Sequence, residues 1–439
     1  MGSTTTLEGE VSSWSIDSRS IAPGDAFFAL RGDKHDGHAW VKDVLSRGAA
    51  VAIVDRDPDP EIAADPRLIR VDNTLRALQS AASSARSQWP GTMIGITGSA
   101  GKTSTKDIVA ALLESQMPTG RTSGNFNNHI GLPLSVLRLP DDAQAAVLEL
   151  GMNHAGEIRD LTAIARPQIG VVTNAGLAHL ENFEDGVDGV ALAKRELIEG
   201  LRPDGTAILN YDDDRVRRFA EVHPGPTIFY GFSPEADVRA ENLHTSEEGV
   251  RFAVDGVLFE SSLAGRHSIR NILAGIAVAR FFDIDVKRLA EPVRLLRPGK
   301  MRGEVICRNG IRIIDDCYNS NPDAVRTMLE ALRDIPAQRH IAVLGEMLEL
   351  GRLSESLHRE AGHFAARCGI SVLVGIRGVA EALVRGAIEA GLRKDAAYFF
   401  DDPIEAGSWL RTAAQTGDAI LFKGSRGTRV ELALEKFLE

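Results

Sequence analysis

The residues with the plainest chemical capacity are Gly98-Ser99-Ala100-Gly101-Lys102-Thr103, followed by Ser104. They lie between an apolar run, MIGIT (93–97), and a stretch of helical periodicity, TSTKDIVAALLES (103–115). Strand, small-residue turn and helix start together make an anion site, because backbone N–H groups and the positive helix end both face a phosphate. In such a loop Lys102 reaches the outer phosphates of a nucleoside triphosphate, and the Thr103 hydroxyl sits on Mg²⁺. The common form of the loop has a glycine five residues before its Gly-Lys pair. Here that place holds Ile96, and the glycine is Gly98. The loop specifies a nucleotide but not what is done with it.

Three more groups follow along the chain. Glu149 closes the run AAVLEL (145–150), His179 comes after IGVVTN (169–174), and Lys194 falls in the helical pattern VALAKREL (190–197). A carboxylate and an imidazole at two strand ends can jointly hold a second Mg²⁺, although that ion prefers oxygen ligands. Singly, each also has a structural reading: a capping carboxylate, a core histidine, a solvated lysine. Their order behind a phosphate loop is what points to chemistry. The segment TSGNFNNHIGLP (122–133) adds a stretch dense in glycine and amide side chains.

These groups need elements to hold them. Short β-branched runs alternate with amphipathic stretches almost throughout, the pattern of α/β layers around mainly parallel sheets. A chain of 439 residues is too long for one core. The first of three blocks contains AAVAIVD (49–55) and ends near Trp89-Pro90-Gly91. The second opens at MIGIT, includes TAILN (206–210) and closes after a helix at 268–282; the join lies around Arg297-Pro298-Gly299. The third block carries expected strands at 311–315, 340–344, 371–374, 396–400 and 419–422. Open sheets bind ligands beyond the carboxyl ends of their strands. That favours Asp315-Asp316, Gly345-Glu346, Asp401-Asp402 and Lys423-Gly424-Ser425-Arg426 as functional candidates.

The net charge of −11 argues against a nucleic-acid partner, since phosphate backbones need a basic face. A small anionic substrate needs only a local basic pocket. Cys307, Cys317 and Cys368 show no ligand-like spacing, which fits a reducing compartment. The start of the chain has no signal-peptide core, and no apolar run is long enough for a bilayer, so a cytoplasmic protein without membrane insertion is expected.

The shortened loop TGSAGKTST (97–105) resembles that of the Mur ligase family, which includes the folate-polyglutamate ligases. The resemblance runs from Asp17-Ser18-Arg19 to Arg429. It is carried by GDAFFALRGDKHDGHAW (24–40), TSGNFNNHIGLP, ELGMNHAGEI (149–158), AHLENF (178–183), DDCYNSNPDAV (315–325), GEMLELG (345–351) and KGSRGTRVE (423–431). Tyr318-Asn319-Ser320-Asn321-Pro322 is the most telling stretch. It resembles the branch that adds a D-alanyl-D-alanine dipeptide, whereas the branch adding the third peptide residue has an Asp-Asn-Pro-Arg motif that this chain lacks.

The resemblance implies three α/β domains: a small uridine-nucleotide-binding domain (1–90), a central ATP-binding domain with the phosphate loop (91–297) and a dinucleotide-binding-like domain (298–439). It implies an ATP-dependent, ADP-forming ligase whose partners are UDP-N-acetylmuramoyl-tripeptide and D-alanyl-D-alanine and which works as a monomer. It further implies that Asp17, Ser18, Arg19, Arg31, Gly32 and His38 lie near the uridine diphosphate, with Asn125 and Asn127 also facing substrate. Asn128 would approach the γ-phosphate, Glu149 and His179 would bind the second of two Mg²⁺ ions, and Lys194 would be carbamylated and join the metal site. Asn271 would contact adenine, Arg302 the ATP phosphates and Asp316 the ribose. Tyr318, Asn319 and Asn321 would face the C-terminal ligand, although Asn-Pro before a helix is also a common N-terminal cap. Gly299 and Gly303 would serve as hinges for domain closure. Three positions depart from the family pattern: Ser268 replaces Asn, Met301 replaces Gly and Cys317 replaces Ser. The segment before SIDSRS is also shorter than the resemblance leads one to expect. Two other functions are compatible with the nucleotide loop: a different amino-acid-adding ligase of the Mur or folylpolyglutamate type, and a non-catalytic ATP-binding sensor of the precursor. The stretch DSRS…GDAFFALRG weighs against the first, and retention of Lys102, Glu149, His179 and Lys194 weighs against the second.

Overall fold

Apolar runs become strands where the expectations place them, with ends shifted by at most two residues. The computed structural model describes residues 11–32, 35–57, 59–246 and 248–439. Residues 1–10 of the expected first domain, and Asp33 and Lys34 of its 24–40 segment, lie outside the described residues.

Trp14–Ser15 (β1), Ala26–Phe28 (β2), Val51–Val54 (β3) and Leu68–Arg70 (β4) form a parallel sheet in that order. β2 and β3 are buried throughout, so they read as unbroken apolar runs rather than as alternations. The helix Thr74–Gln88, capped by the Asn73 side chain, leads to the next sheet. Near its end Arg86 ties the two units together: Nε donates to the Ala165 carbonyl (2.8 Å) and Nη2 to Gln168 Oε1 (2.9 Å).

The second sheet is parallel and seven-stranded. Thr92–Thr97 (β5), Thr119–Arg121 (β6), Ala145–Glu149 (β7), Ile169–Val172 (β8), Thr206–Asn210 (β9), Thr227–Gly231 (β10) and Val238–Arg239 (β11) take the order β11-β10-β9-β8-β5-β7-β6. From β5 the chain crosses to the edge strand β6, comes back to β7 beside β5, and then builds outward on the other side through β8 to β11. β5 therefore borders the point where strand order reverses, and the crevice beyond its carboxyl end is the natural ligand site.

An antiparallel sheet of Glu241–Ser246 (β12), Gly249–Val254 (β13) and Val257–Ser261 (β14) follows, an element absent from the block reading. Its signal was present. Asp255-Gly256, both at positive φ (51° and 76°), make a two-residue hairpin turn between alternating strands. The helix Arg266–Phe281 then packs on the helix Lys102–Glu114.

The last sheet holds Glu304–Arg308 (β15), Ile311–Asp316 (β16), Arg339–Gly345 (β17), Val372–Ile376 (β18), Ala397–Phe400 (β19) and Asp418–Lys423 (β20), in the order β15-β16-β20-β17-β18-β19. It is parallel except for β15, which pairs antiparallel with β16 through an Asn309-Gly310 turn. One apolar cluster runs from the second unit into the third and includes Leu180, Val325 and Leu357. Among the described residues no helix is long and apolar enough to cross a membrane.

Candidate active site

β5 delivers the phosphate loop to the reversal point. Gly98 has φ 152°, and a Cβ there would stand 1.8 Å from Thr173 Oγ1, so the backbone has no space for a side chain. Gly101 (φ 80°) precedes the helix Lys102–Glu114 and lies against Asn271. The chain after β8 braces the loop. Thr173 Oγ1 and Asn174 Nδ2 donate to the Ala100 carbonyl (2.7 and 3.0 Å), and Asn174 Oδ1 accepts from the Ala100 N–H (2.8 Å). Ser99 Oγ donates to the Gly176 carbonyl (3.1 Å) and accepts from the Gly176 N–H (2.9 Å). The first-turn N–H groups, from Lys102 through Ser104, have no acceptor within the helix and are what an anion meets.

Lys102 Nζ donates to the Gly98 carbonyl (2.7 Å), folded over its own loop. Burial pushes its pKa down; Glu149 opposes this, Arg302 adds to it and Glu349 opposes it again. Thr103 Oγ1 donates to Glu149 Oε2 (2.7 Å), and Asn127 Nδ2 donates to Glu149 Oε1 (2.7 Å). Glu149 is buried at the end of β7, where Thr122 Oγ1 also accepts its N–H. Asn125 and Asn128 are exposed. Asn128 Oδ1 accepts from the N–H groups of Ile130 and Gly131 (3.1 and 2.9 Å) and so caps the helix Gly131–Leu137.

A hydroxyl and a carboxylate already in contact are a fitting pair of hard oxygen donors for Mg²⁺, which keeps water and phosphate oxygens as its other ligands. Among the described residues no cluster of three or more His, Cys, Asp or Glu side chains could hold a metal alone. His179 sits at φ 58° with Nδ1 2.6 Å from Glu349 Oε2, off the line of a hydrogen bond. The His179 contact, with a smaller contribution from Lys102, lowers the Glu349 pKa against the opposing effect of burial. Lys194 projects from the helix Val187–Glu199 and is 1% exposed. Burial, and then the charge of Lys102, holds its pKa well below the usual lysine value.

A cavity of about 640 Å³ opens beside the loop, between the second and third units, with Ser104, His267, Ser268, Asn271, Leu296 and Arg302 in its wall. Asn271 Oδ1 accepts from Thr105 Oγ1 (3.2 Å). Ser268 spends its hydroxyl on the Ala264 carbonyl (2.7 Å). Met301 takes φ 59°. Arg302 stacks over the Tyr318 ring at 3.8 Å. Asp316 Oδ2 accepts from Lys423 Nζ (2.7 Å), which also donates to the Asn319 carbonyl (2.8 Å). Asn319 Oδ1 accepts from the Ser320 N–H, and Asn321 Oδ1 accepts from the Ala324 N–H as the cap of the helix Pro322–Arg333. These two side chains are engaged within their own loop. Cys317 is buried, and burial pushes its thiol pKa up.

The first unit forms a cluster of its own. Asp17 receives the Arg19 N–H (3.0 Å) and its guanidinium at Nε and Nη2 (2.9 and 2.8 Å), which lowers its pKa to about 2. The Ser18 carbonyl accepts from Arg47. Arg31 pairs with Asp55 (3.2 Å), and the Gly32 N–H donates to the His35 carbonyl (2.8 Å). His38 is buried, with Nδ1 2.7 Å from Asp36 and Nε2 accepting from the Asp55 N–H (3.2 Å). The ring as placed orders its loop. Among the described residues no hydrogen bond or ion pair joins these six to the phosphate loop.

The sequence marked Lys423 only as one of several strand-end candidates and gave no role to Glu349 or His267. Glu349 stood inside the quoted segment GEMLELG, which follows the end of β17, and that position was the available signal. His267, at the start of a helix far along the chain, gave none.

Family models match nearly the whole chain: Mur ligase family, catalytic domain, at residues 10–86; Mur ligase middle domain at 96–279; and Mur ligase, glutamate ligase domain, at 301–426. The UDP-N-acetylmuramoyl-tripeptide–D-alanyl-D-alanine ligase of Bacillus subtilis (strain 168) is 34% identical over 428 residues, covering 96% of this chain and 92% of that one. The ligase of the same name from Escherichia coli (strain K12) is also 34% identical, covering 94% and 91%. Among solved structures, MurF from Acinetobacter baumannii superposes with a TM-score of 0.89 at 30% identity over 98% of this chain and 94% of that one. The MurF ligase of Thermotoga maritima in complex with ADP gives 0.85 at 29% identity over 97% and 96%.

Proposed function

The chain belongs to the Mur ligase family, and from that premise we infer that it is an ATP-dependent, ADP-forming ligase joining D-alanyl-D-alanine to UDP-N-acetylmuramoyl-tripeptide. The observation that carries this reading is similarity to ligases of that name over more than nine-tenths of both chains, with the Lys102, Thr103–Glu149 and Lys194 groups gathered at one strand-reversal point.

The chemistry follows from the poor acylating power of a carboxylate. The tripeptide carboxylate attacks the γ-phosphorus of ATP, the bond to the β-phosphate oxygen breaks, and acyl phosphate and ADP form. The amine of D-alanyl-D-alanine then attacks the acyl carbon, loses a proton, and inorganic phosphate leaves. Two anions must meet in the first step, so positive charge has to be fixed where they meet. Lys102 and the N–H groups of its helix supply part of it. Thr103 would hold one Mg²⁺, and Glu149 with His179 the second; the ions would supply charge neutralisation at the phosphates. Asn271, Arg302 and Asp316 face the nucleotide, and Asn128 the γ-phosphate. Lys194 is carbamylated: a buried amine held neutral is the form that adds to CO₂, and once the nitrogen gives its proton to solvent the carbamate carries a negative charge suited to the metal. Asp17, Ser18, Arg19, Arg31, Gly32 and His38 serve the uridine diphosphate end, directly or by ordering its loops, while Asn125, Asn127, Tyr318, Asn319 and Asn321 shape the approach of the peptide parts. The three domains are 1–90, 91–297 and 298–439, and Gly303 (φ 78°, open space around its α-carbon) with Gly299 forms the hinge. The protein acts as a cytoplasmic monomer.

Phosphate release from ATP and Mg²⁺, measured with UDP-N-acetylmuramoyl-tripeptide with and without D-alanyl-D-alanine, tests the reading. Release that requires both, with a UDP-pentapeptide product, supports it. No release with either the lysine or the diaminopimelate form of the tripeptide rejects it.

A further inference from the structure

Residues 173–179 form no helix or strand, so contacts on either side set their shape. One side belongs to the phosphate loop. Thr173 and Asn174 hold Ala100, and Gly176 exchanges two hydrogen bonds with Ser99. The other side belongs to the third domain. Asp323, in the first turn of the helix Pro322–Arg333, accepts the Leu177 N–H at Oδ2 (2.8 Å). Four residues on, the Glu181 N–H donates to the Glu349 carbonyl (3.1 Å), and Gly351 packs on the Glu181 backbone.

Gly176 shows how tight the first contact is. A Cβ there would stand 2.1 Å from Asp323 Oδ2. Its φ is not positive, so the glycine is required for close approach rather than for backbone freedom. The carboxylate is also favoured where it stands, at the positive end of its helix.

We propose that residues 174–181 are a relay through which docking of the third domain sets the phosphate loop, with Asp323 as the positioning residue that engages it. Asp323 lies outside the wall of the 640 Å³ cavity, so its effect on nucleotide has to pass through the relay. The inference rests on the assignment of that loop to a nucleotide, not on the identity of the amino component.

The test is the affinity of the full-length protein for a fluorescent ADP analogue, with kcat measured alongside. Asp323→Ala and Gly176→Ala should each weaken ADP binding about tenfold or more, the scale of one charge-assisted hydrogen bond. The double variant should be no weaker than either single one, because both changes break one contact. Asp323→Asn, which keeps an acceptor, should restore most of the affinity. Losses that multiply in the double variant, or ADP affinity untouched by both single changes, overturn the relay. Weakened ADP binding in a protein that proves inactive with the tripeptide and dipeptide leaves the relay standing and removes only the ligase reading.

Discussion

Lys194 is 1% exposed and lies in the field of Lys102, which joins burial in holding its pKa well below the usual lysine value. Two lysines so placed in one buried site are electrostatically unfavourable unless one of them gives up its charge. The consequence is chemical, because a neutral amine is a nucleophile and an ammonium is not. With ¹³C-bicarbonate, the wild-type protein should show a lysine carbamate resonance that Lys194→Ala lacks. The same substitution should lower kcat on the order of a hundredfold or more, with partial rescue by short carboxylates such as acetate. Full turnover by Lys194→Ala would remove the carbamate from the mechanism.

Glu149 carries a second prediction. Its two oxygens are taken by Thr103 and Asn127. Glu149→Gln keeps an acceptor for Thr103 and so leaves the local fold in place, while removing the charge a cation needs. The Mg²⁺ concentration that half-saturates nucleotide binding should rise about tenfold or more, an effect of the size seen when metal ligation is weakened. Titration of ATP-analogue binding with Mg²⁺ measures this without turnover, and an unchanged midpoint would place the metal elsewhere.

The sheets and the phosphate loop were legible in the sequence because their signals are local. A strand of apolar residues, Gly98 where no Cβ fits and a helix from Lys102 all lie within a short span. The hairpin turns Asp255-Gly256 and Asn309-Gly310 were equally local, but were overlooked under the dominant parallel pattern. What could not be read is whatever arises from domain docking. Glu349 meets His179 and Asp323 meets Leu177 across separations that no periodicity encodes, and within the third sheet Lys423 meets Asp316 only because β16 and β20 pair. Asn321 shows the reverse case: its place before Pro322 suggested both a ligand contact and a helix cap, and its side chain makes the cap.

Asp316 and Lys423 supply a third prediction. The Lys423 side chain is 3% exposed and has Asp316 as its carboxylate partner. Asp316→Ala removes that partner, so it should destabilise the protein by about 3 kcal/mol as a buried charge loses its counter-ion. Asp316→Asn keeps an acceptor for Lys423 and isolates the nucleotide contact. It should raise the KM for ATP more than that for D-alanyl-D-alanine. The opposite pattern in steady-state kinetics would assign the end of β16 to the dipeptide.

His267 makes stability depend on pH. Burial lowers its pKa to about 4, against the pull of Asp316 and with further lowering by Lys423 and Arg270. Its Nδ1 has no hydrogen-bond partner, so no hydrogen bond adds to the pull of Asp316. In the unfolded chain the ring titrates near its ordinary value of 6.5. Between these two values the unfolded state binds the extra proton, and stability therefore rises with pH. The contribution is fully present above pH 6.5, declines as the pH falls and is exhausted near pH 4. Its size is on the order of 3 kcal/mol. Urea unfolding of wild type and His267→Gln across that window checks the sign and the range. The variant should show a shallower pH dependence between 4 and 6.5, with the two curves parallel above it. Equal slopes in the two proteins would mean that His267 is as easily protonated in the folded chain as in the unfolded one.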